Sequence, residues 1–193
     1  MSTFSEHFPS EGKNKGWIEL VCGSMFSGKT EELLRRIKRA RFANQKILLV
    51  KPSIDKRYSD KNVVSHQGSS QEAVLVKNSV EILEIWKNER VVAIDEAQFF
   101  DNDIADVCNQ LAKSGVRVIV AGLDMDFLGV PFGPMPQLLA IAEYVTKVHA
   151  VCLSCGNLAQ FSHRIVQDEE QVMLGAVEEY EPLCRGCYNK IKH

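Results

Sequence analysis

The sequence lacks a hydrophobic run long enough to span a bilayer, which argues against a membrane protein. It also lacks an excess of charge. The 23 lysines and arginines nearly balance the 25 aspartates and glutamates, and the formal net charge of −2 gives no overall attraction to nucleic acid or membrane. The first ten residues lack the basic start and apolar middle of a secretory signal. We therefore expect a cytoplasmic protein with reduced thiols, without a nucleic-acid or membrane partner.

The composition that is present suits an ordinary globular protein. The 193 residues are 45% hydrophobic and 25% charged, which is sufficient to bury a core without disulfides. Apolar runs alternate with helical patterns, and this predicts an α/β fold in which a mostly parallel sheet carries helices on both faces. We divide the chain into a flexible tail (1–15), a nucleotide-binding domain (16–148) and a smaller cysteine-containing domain (149–193).

The stretch from Gly23 to Thr30 fits the phosphate-loop pattern G-x-x-x-x-G-K-[ST]. The apolar run from Trp17 to Cys22 predicts a buried strand before it, and residues 31–42 predict a helix after it. Between a strand and a helix, backbone N–H groups and the positive end of the helix favour an anion. Lys29 would reach the outer phosphates of a nucleotide, and the Thr30 hydroxyl would bind Mg²⁺.

A second chemical feature is an apolar run with an acidic end. Residues 91–94 predict a buried strand, and Asp95 and Glu96 follow it. Phosphate-loop proteins hold Mg²⁺ with an acid at such a strand end, so Asp95 would face Thr30 across the ion. Glu96 would accept a proton from the attacking hydroxyl or water. The residues alone thus predict an ATP-dependent phosphotransferase or an ATPase.

The sequence also predicts the structure of three further stretches. Residues 53–70 are polar and predict a long loop, with Asp55 and Arg57 near its start at the ligand edge of the sheet. Residues 144–151 predict one strand, which is either the last core strand or the first strand of the next unit. A basic cluster in the first helix predicts a solvated helix face rather than a nucleic-acid surface. Its members are Arg35, Arg36, Lys38, Arg39 and Arg41.

The six cysteines fall into two groups. Two C-x-x-C pairs are typical of a tetrahedral structural zinc site. The ligands would be Cys152, Cys155, Cys184 and Cys187. Residues 156–183 between the pairs exceed the usual spacing, so we expect a hairpin arm with a strand at 159–166 and an extra loop long enough to form a lid. Cys22 and Cys108 lie in apolar segments and are predicted core residues.

Six motifs, taken in order, resemble those of the thymidine kinases of the cellular, zinc-containing type (type II). They are G-x-M-F-S-G-K-T, D-x-R-Y, D-E-A-Q-F-F, A-G-L-D-x-D-F, C-x-x-C and C-R-x-C, and they span about residues 17–190. The resemblance implies transfer of the γ-phosphate of ATP to the 5′-hydroxyl of thymidine or deoxyuridine. It also implies a RecA-like P-loop domain, a small zinc domain with a lasso-like lid, a homotetramer, and feedback inhibition by thymidine triphosphate (dTTP).

The resemblance also implies roles for single positions. The implied ATP-binding set is Gly23, Ser24, Met25, Phe26, Ser27, Gly28, Lys29, Thr30, Asp95, Glu96, Ala97 and Gln98. Within it, Thr30 and Asp95 would support Mg²⁺ and Glu96 would be the general base. The implied nucleoside-binding set is Met25, Phe99, Leu123, Phe127, Ser162, Gln171, Val172, Met173, Leu174, Gly175 and Tyr180. Asp55 and Arg57 match a segment that would contact a phosphate or a loop.

Two departures from the family pattern concern the nucleoside side. Residues 175–180 read G-A-V-E-E-Y where many relatives have further small residues before the acidic pair, and Ser162 replaces a threonine of some relatives, which predicts a slightly roomier methyl pocket. Two other functions fit part of the pattern. One is a nucleic-acid-stimulated P-loop ATPase with a zinc ribbon, which the near-neutral charge disfavours. The other is another small-molecule kinase, such as a nucleoside monophosphate kinase, which leaves D-E-A-Q-F-F unexplained.

Overall fold

A computed structural model describes residues 15–54, 62–64, 70–165 and 179–191. The strands are β1 (Trp17–Cys22), β2 (Ile47–Pro52), β3 (Asn62–Val64), β4 (Ser70–Glu72), β5 (Val74–Val76), β6 (Val91–Ile94), β7 (Arg117–Gly122), β8 (Tyr144–Lys147), β9 (Ala150–Val151), β10 (Leu158–Ala159), β11 (Phe161–Arg164) and β12 (Tyr180–Leu183). The helices are α1 (Lys29–Phe42), α2 (Glu81–Ile85), α3 (Ile104–Lys113), α4 (Met135–Ile141) and α5 (Arg185–Ile191), with a 3-10 turn at Ala97–Phe99.

Six parallel strands form the main sheet in the order β5-β2-β6-β7-β1-β8. The central strand β7 pairs with β1 on one side and with β6 on the other. Because parallel strands end at the same edge of a sheet, the phosphate loop after β1 and Asp95 after β6 lie at one edge, on either side of the end of β7. The fold thus brings together the two features that the sequence predicted to cooperate.

Helices cover both faces of this sheet, as predicted. On one face, Leu33, Ile37 and Ala40 of α1 pack against apolar residues of the central strands. On the other face, α3 and α4 enclose a larger core through Ile104, Leu111 and other buried side chains. The central strands are buried on both faces, and their near-continuous runs of valine and isoleucine fit that environment. Cys22 and Cys108 are buried, as expected of core residues.

A smaller unit follows the main sheet and packs against the phosphate loop. It combines the antiparallel pairs β9–β10 and β11–β12 with α5. Phe161, Leu183 and Tyr188 are among its buried core residues, and Phe26 of the phosphate loop packs against that core. The division at residue 148 stays a prediction, and the expected tail at 1–15 lies almost wholly outside the described residues.

Three expectations about strands were wrong. The polar stretch 53–70 is not all loop, because β3 pairs with β4 in a short antiparallel ladder. Residues 144–151 do not form one strand: β8 follows β1 only to Lys147, because β1 ends where the phosphate loop begins. Residues 159–166 also divide, since β10 pairs with β9 whereas β11 pairs with β12, and the chain changes partner at Gln160.

The prediction that the basic cluster of α1 lies on a solvated face is also wrong at one position. Arg36 is fully buried and donates to Oε2 of Glu19 at 2.8 Å and to Oε1 of Glu32 at 2.8 Å. Arg117 donates to the other oxygen of Glu19 at 2.7 Å. The buried carboxylate explains why two guanidinium groups lie inside the fold, since a buried charge needs a partner. Within the described ranges, no helix has the length and apolar character needed to cross a bilayer.

Candidate phosphate and nucleoside site

The phosphate loop has the left-handed backbone that its sequence requires. Gly23 and Gly28 have φ of 149° and 85°, and Phe26 has φ of 62°. A Cβ at Gly23 would collide with the carbonyl oxygen of Val148, so this position needs glycine. Helix α1 begins directly after Gly28, at Lys29. The loop therefore turns tightly over the start of α1, where backbone N–H groups favour an anion.

Lys29 is folded onto the loop itself. Its Nζ donates to the carbonyl oxygen of Ser24 at 2.8 Å, and the Ser27 hydroxyl donates to the same oxygen at 2.7 Å. Thr30 occupies the first turn of α1 and is partly exposed. The lysine side chain is long and flexible, so it can leave this carbonyl for a phosphate oxygen without any change in the backbone.

The acidic strand end has an unusual backbone. Asp95 is 6% exposed and accepts a 3.0 Å hydrogen bond from the backbone N–H of Glu96. Glu96 has φ of 53° and ψ of 43°, a left-handed conformation that costs energy for a residue with a side chain. Gln98 donates from Nε2 to Glu96 and accepts from the backbone N–H of Leu123 at 2.9 Å. Gln98 thus ties Glu96 to the end of β7, and strain of this kind is typical of functional sites.

Asp124 adds a carboxylate that sequence reasoning did not assign. It follows β7, is 6% exposed, and its Oδ2 lies 2.6 Å from Nζ of Lys147. Its Oδ1 is buried and has no hydrogen-bond partner among the described residues. Lys147 is the register partner of Cys22 at the end of β1, so the ion pair crosses that strand end beside the phosphate loop. Burial, helped by the charge of Asp124, raises the pKa of the Cys22 thiol to about 11.

Residues of the implied nucleoside set come from both units. The backbone N–H of Met25 donates to Oγ of Ser162 at 2.9 Å, which joins the phosphate loop to β11. Leu123 is buried at the end of β7. The Phe99 ring meets Phe132 edge to face, at a centroid distance of 5.6 Å. The structure thus brings Met25 and Ser162 into direct contact.

Phe127 and Tyr180 are linked through a residue that the sequence did not single out. Arg164 donates from Nη2 to the Tyr180 hydroxyl at 2.7 Å, and its Cζ lies 3.8 Å from the centroid of the Phe127 ring. In the sequence, the one sign of Arg164 is its position two residues after Ser162 in a predicted strand. Side chains two residues apart in a strand lie on the same face. The implied contacts Asp55, Arg57, Gln171, Val172, Met173, Leu174 and Gly175 lie outside the described residues.

The four cysteines of the two C-x-x-C pairs converge. Their sulfurs lie within 4.8 Å of one another, and Sγ of Cys155 is 3.6 Å from Sγ of Cys184. A tetrahedral ion with metal–sulfur bonds of about 2.3 Å separates its ligands by about 3.8 Å, so the cluster has the dimensions of such a site. The backbone of Cys184 lowers the pKa of the Cys152 thiol to about 6, whereas hydrogen bonds with the Cys155 and Cys184 side chains raise the pKa of the Cys187 thiol to about 11.

Comparison with known proteins identifies the family. A sequence model of the family described as "Thymidine kinase" matches residues 16–188. The thymidine kinase of Bacteroides fragilis is 58% identical over 98% of this chain and 96% of its own length. That of Porphyromonas gingivalis is 56% identical over 96% and 91% of the two chains, and that of a Rhodothermus species is 52% identical over 92% and 83%. This chain therefore belongs to the thymidine kinase family.

Proposed function

We propose that this chain transfers the γ-phosphate of ATP to the 5′-hydroxyl of thymidine, giving thymidine monophosphate in DNA-precursor salvage. The observation that carries the proposal is 58% identity over 98% of the chain to a relative named thymidine kinase. The geometry supports it, because a phosphate loop and two buried carboxylates share one edge of the sheet. Phosphoryl transfer needs positioning and charge neutralisation more than covalent catalysis, and these groups supply both.

The proposed ATP site extends from Gly23 to Thr30 and includes the segment Asp95 to Gln98. Backbone N–H groups of the loop would bind the phosphates, and Lys29 would exchange the Ser24 carbonyl for phosphate oxygens. The strained backbone at Glu96 supports a functional role for the second segment. Ala97 and Gln98 are buried, and Gln98 bonds to the residue that follows β7. These two residues would therefore shape the side of the ATP site at the end of β7.

The oxygen atoms at this edge suit Mg²⁺. Thr30 offers a hydroxyl and Asp95 a carboxylate, the hard ligands that Mg²⁺ prefers. Oδ1 of Asp124, for which the described part of the chain provides no hydrogen-bond partner, is a further acceptor at this edge of the sheet. When bound, Mg²⁺ would neutralise charge on the ATP phosphates.

Glu96 is the proposed general base. The Gln98 amide donates to one of its carboxylate oxygens and so restrains the side chain. As the 5′-oxygen of the nucleoside forms its bond to the γ-phosphorus, the hydroxyl proton would pass to Glu96 and ADP would leave with the electrons of the broken P–O bond. A carboxylate suits this step because it is ionised at neutral pH.

The four-cysteine cluster is proposed to hold structural Zn²⁺. Four cysteine sulfurs within 4.8 Å of one another fit zinc, and a set of four protein ligands would leave no open position for catalysis. The ion would join β9 and β10 to α5 and close the base of residues 156–183. That segment is proposed to cover the nucleoside and exclude water, which would otherwise accept the phosphoryl group.

Three finer proposals rest on membership of the family. Deoxyuridine would be a second acceptor, since it lacks only the methyl group of thymine. The end product dTTP would inhibit by occupying the same site. The chain would assemble as a homotetramer.

A nucleoside panel tests the proposed function. The purified chain with Mg²⁺ and γ-labelled ATP should label thymidine and deoxyuridine, but neither ribonucleosides nor thymidine monophosphate. Single-stranded DNA added in place of a nucleoside should not stimulate ATP turnover. Label in a nucleoside diphosphate would favour a nucleoside monophosphate kinase, and DNA-stimulated release of phosphate would favour an ATPase.

A further inference from the structure

Arg164 joins two aromatic residues that are distant in the sequence. Its guanidinium donates from Nη2 and Nε to the Tyr180 hydroxyl, at 2.7 and 3.1 Å. The same group lies over the ring of Phe127, with Cζ 3.8 Å from the ring centroid. Tyr180 is the register partner of Arg164 on β12, whereas Phe127 lies in the segment after β7. One side chain therefore spans the small unit and the main domain.

This arrangement uses properties that only arginine has. A guanidinium is planar, so its edge donates two hydrogen bonds to one oxygen while its face stacks on a ring. A lysine ammonium would keep the charge but has neither the edge nor the face. Arg164 is only 6% exposed, and a buried cation is costly unless its surroundings compensate it. The phenol oxygen and the aromatic face both supply such compensation.

The backbone of Phe127 is fixed separately. The Tyr188 hydroxyl donates to the carbonyl oxygen of Phe127 at 2.7 Å. Tyr188 belongs to α5, the helix that carries Cys187, and it stacks on Phe161 at a centroid distance of 4.4 Å. The main chain of Phe127 is therefore held by the cysteine unit, and its ring by Arg164. A ring restrained at both points presents a fixed surface.

We propose that Arg164 is a positioning residue for the acceptor nucleoside. It orients the Phe127 ring and the Tyr180 hydroxyl as two walls of the base pocket and acts only through them, without touching the reacting atoms. The proposal rests on the proposed function, which supplies the nucleoside, and on the family resemblance, which implies that Phe127 and Tyr180 lie beside it. Arg164 would thereby set the geometry of the acceptor pocket.

The test compares Arg164→Met and Arg164→Lys with the parent chain. KM for thymidine should rise about tenfold in both variants, because the two hydrogen bonds that the guanidinium donates to Tyr180 and its stacking on Phe127 are lost. KM for ATP should stay within about twofold, because the contacts that the variants remove, with Tyr180 and Phe127, belong to the implied nucleoside set. Zinc content and melting temperature serve as folding controls. The lysine variant should not restore thymidine KM, since charge alone does not reproduce the contacts.

Arg185→Met is the matched control. Arg185 also lies over a ring, with Cζ 5.1 Å from the Phe161 centroid, but it is exposed and belongs to α5. Its replacement should leave thymidine KM unchanged. Tyr180→Phe removes only the acceptor of the two hydrogen bonds and should raise thymidine KM severalfold. Combined with Arg164→Met, it should add little, because both changes break the same contact.

The outcomes separate this inference from the proposed function. Equal rises in KM for ATP and thymidine, or restoration of thymidine KM by lysine, would overturn the positioning role. If Arg164→Met does not fold, Tyr180→Phe decides, and an unchanged thymidine KM in that variant overturns the proposal. Absence of thymidine phosphorylation by the parent chain would reject both ideas, whereas normal parent activity with unaffected variants rejects only the role of Arg164.

Discussion

The backbone N–H of Met25 donates a 2.9 Å hydrogen bond to the side-chain oxygen of Ser162. Met25 lies in the phosphate loop and Ser162 in β11 of the cysteine unit, so this bond crosses between the two units. The carbonyl oxygen of Ala159 also lies 3.5 Å from the Ser24 hydroxyl, and Phe26 packs on the core of the cysteine unit. The conformation of the phosphate loop is therefore coupled to the docking of the unit that is proposed to cover the nucleoside.

Replacing Ser162 with alanine should weaken that coupling. The Met25 N–H would lose its acceptor in a partly buried position, which costs about 1 kcal/mol of unfolding free energy. KM should rise for both ATP and thymidine, because the bond touches both sides of the site. Ser162→Thr keeps the hydroxyl and should preserve stability. Denaturant unfolding and steady-state kinetics measure the two effects, and an alanine variant equal to the parent in both would contradict the coupling.

The phosphate loop and the acidic end of β6 could be predicted from the sequence because each consists of consecutive residues. A strand, the loop from Gly23 to Thr30 and a helix occupy consecutive residues, and so do β6 and its acidic end. Their meeting at one sheet edge follows from the rule that parallel strands end together. The spacing of the four cysteines likewise specifies a cluster through the chemistry of the ligands.

The remaining features depend on contacts between distant segments, which no local pattern encodes. Arg36 reads as one more exposed base in a helix, because the buried Glu19 that binds it lies in another element. Asp124 and Lys147 are ordinary charged residues until β7 and β8 are placed on either side of β1. The contact between Arg164 and Phe127 is visible only in the folded structure, because the two residues are distant in the sequence. The strand at 144–151 divides for a similar reason, since its partner β1 ends first.

The unfolding free energy should be especially sensitive to loss of the single buried charge of Glu19. Glu19 is 1% exposed and bonds to Arg36 and Arg117 at 2.8 and 2.7 Å. Glu19→Gln removes the buried negative charge that Arg36 and Arg117 share, while Arg36 keeps its ion pair with Glu32, and it should lower the unfolding free energy by about 3 kcal/mol. Urea unfolding measures the loss. Glu84→Gln, on the exposed side of α2, should change it by less than about 0.5 kcal/mol, and similar values for the two variants would refute the assignment.

Thiol counting should distinguish the four cysteines of the cluster from the two buried core cysteines. With zinc bound, the thiolates of the cluster are ligands and should react slowly with an aromatic disulfide reagent. A strong chelator should release four reactive thiols and one equivalent of zinc. Cys22 and Cys108 should react only in denaturant, because burial raises the pKa of their thiols to about 11 and about 12. Four thiols that react fully before chelation would argue against a bound metal, and six released together would show that the sheet opens with the cluster.

Glu96→Gln should separate proton transfer from binding. The replacement is nearly isosteric, and its amide oxygen can still accept from Gln98, so the left-handed turn and the end of β7 should keep their geometry. Turnover should fall by about two orders of magnitude or more, the usual contribution of a general base, while the affinities for ATP and thymidine stay near parental values. Glu96→Asp keeps a carboxylate but withdraws it by one methylene group, and should retain intermediate activity. Single-turnover kinetics with equilibrium binding distinguish the two effects, and a glutamine variant with near-parental turnover would rule out Glu96 as the base.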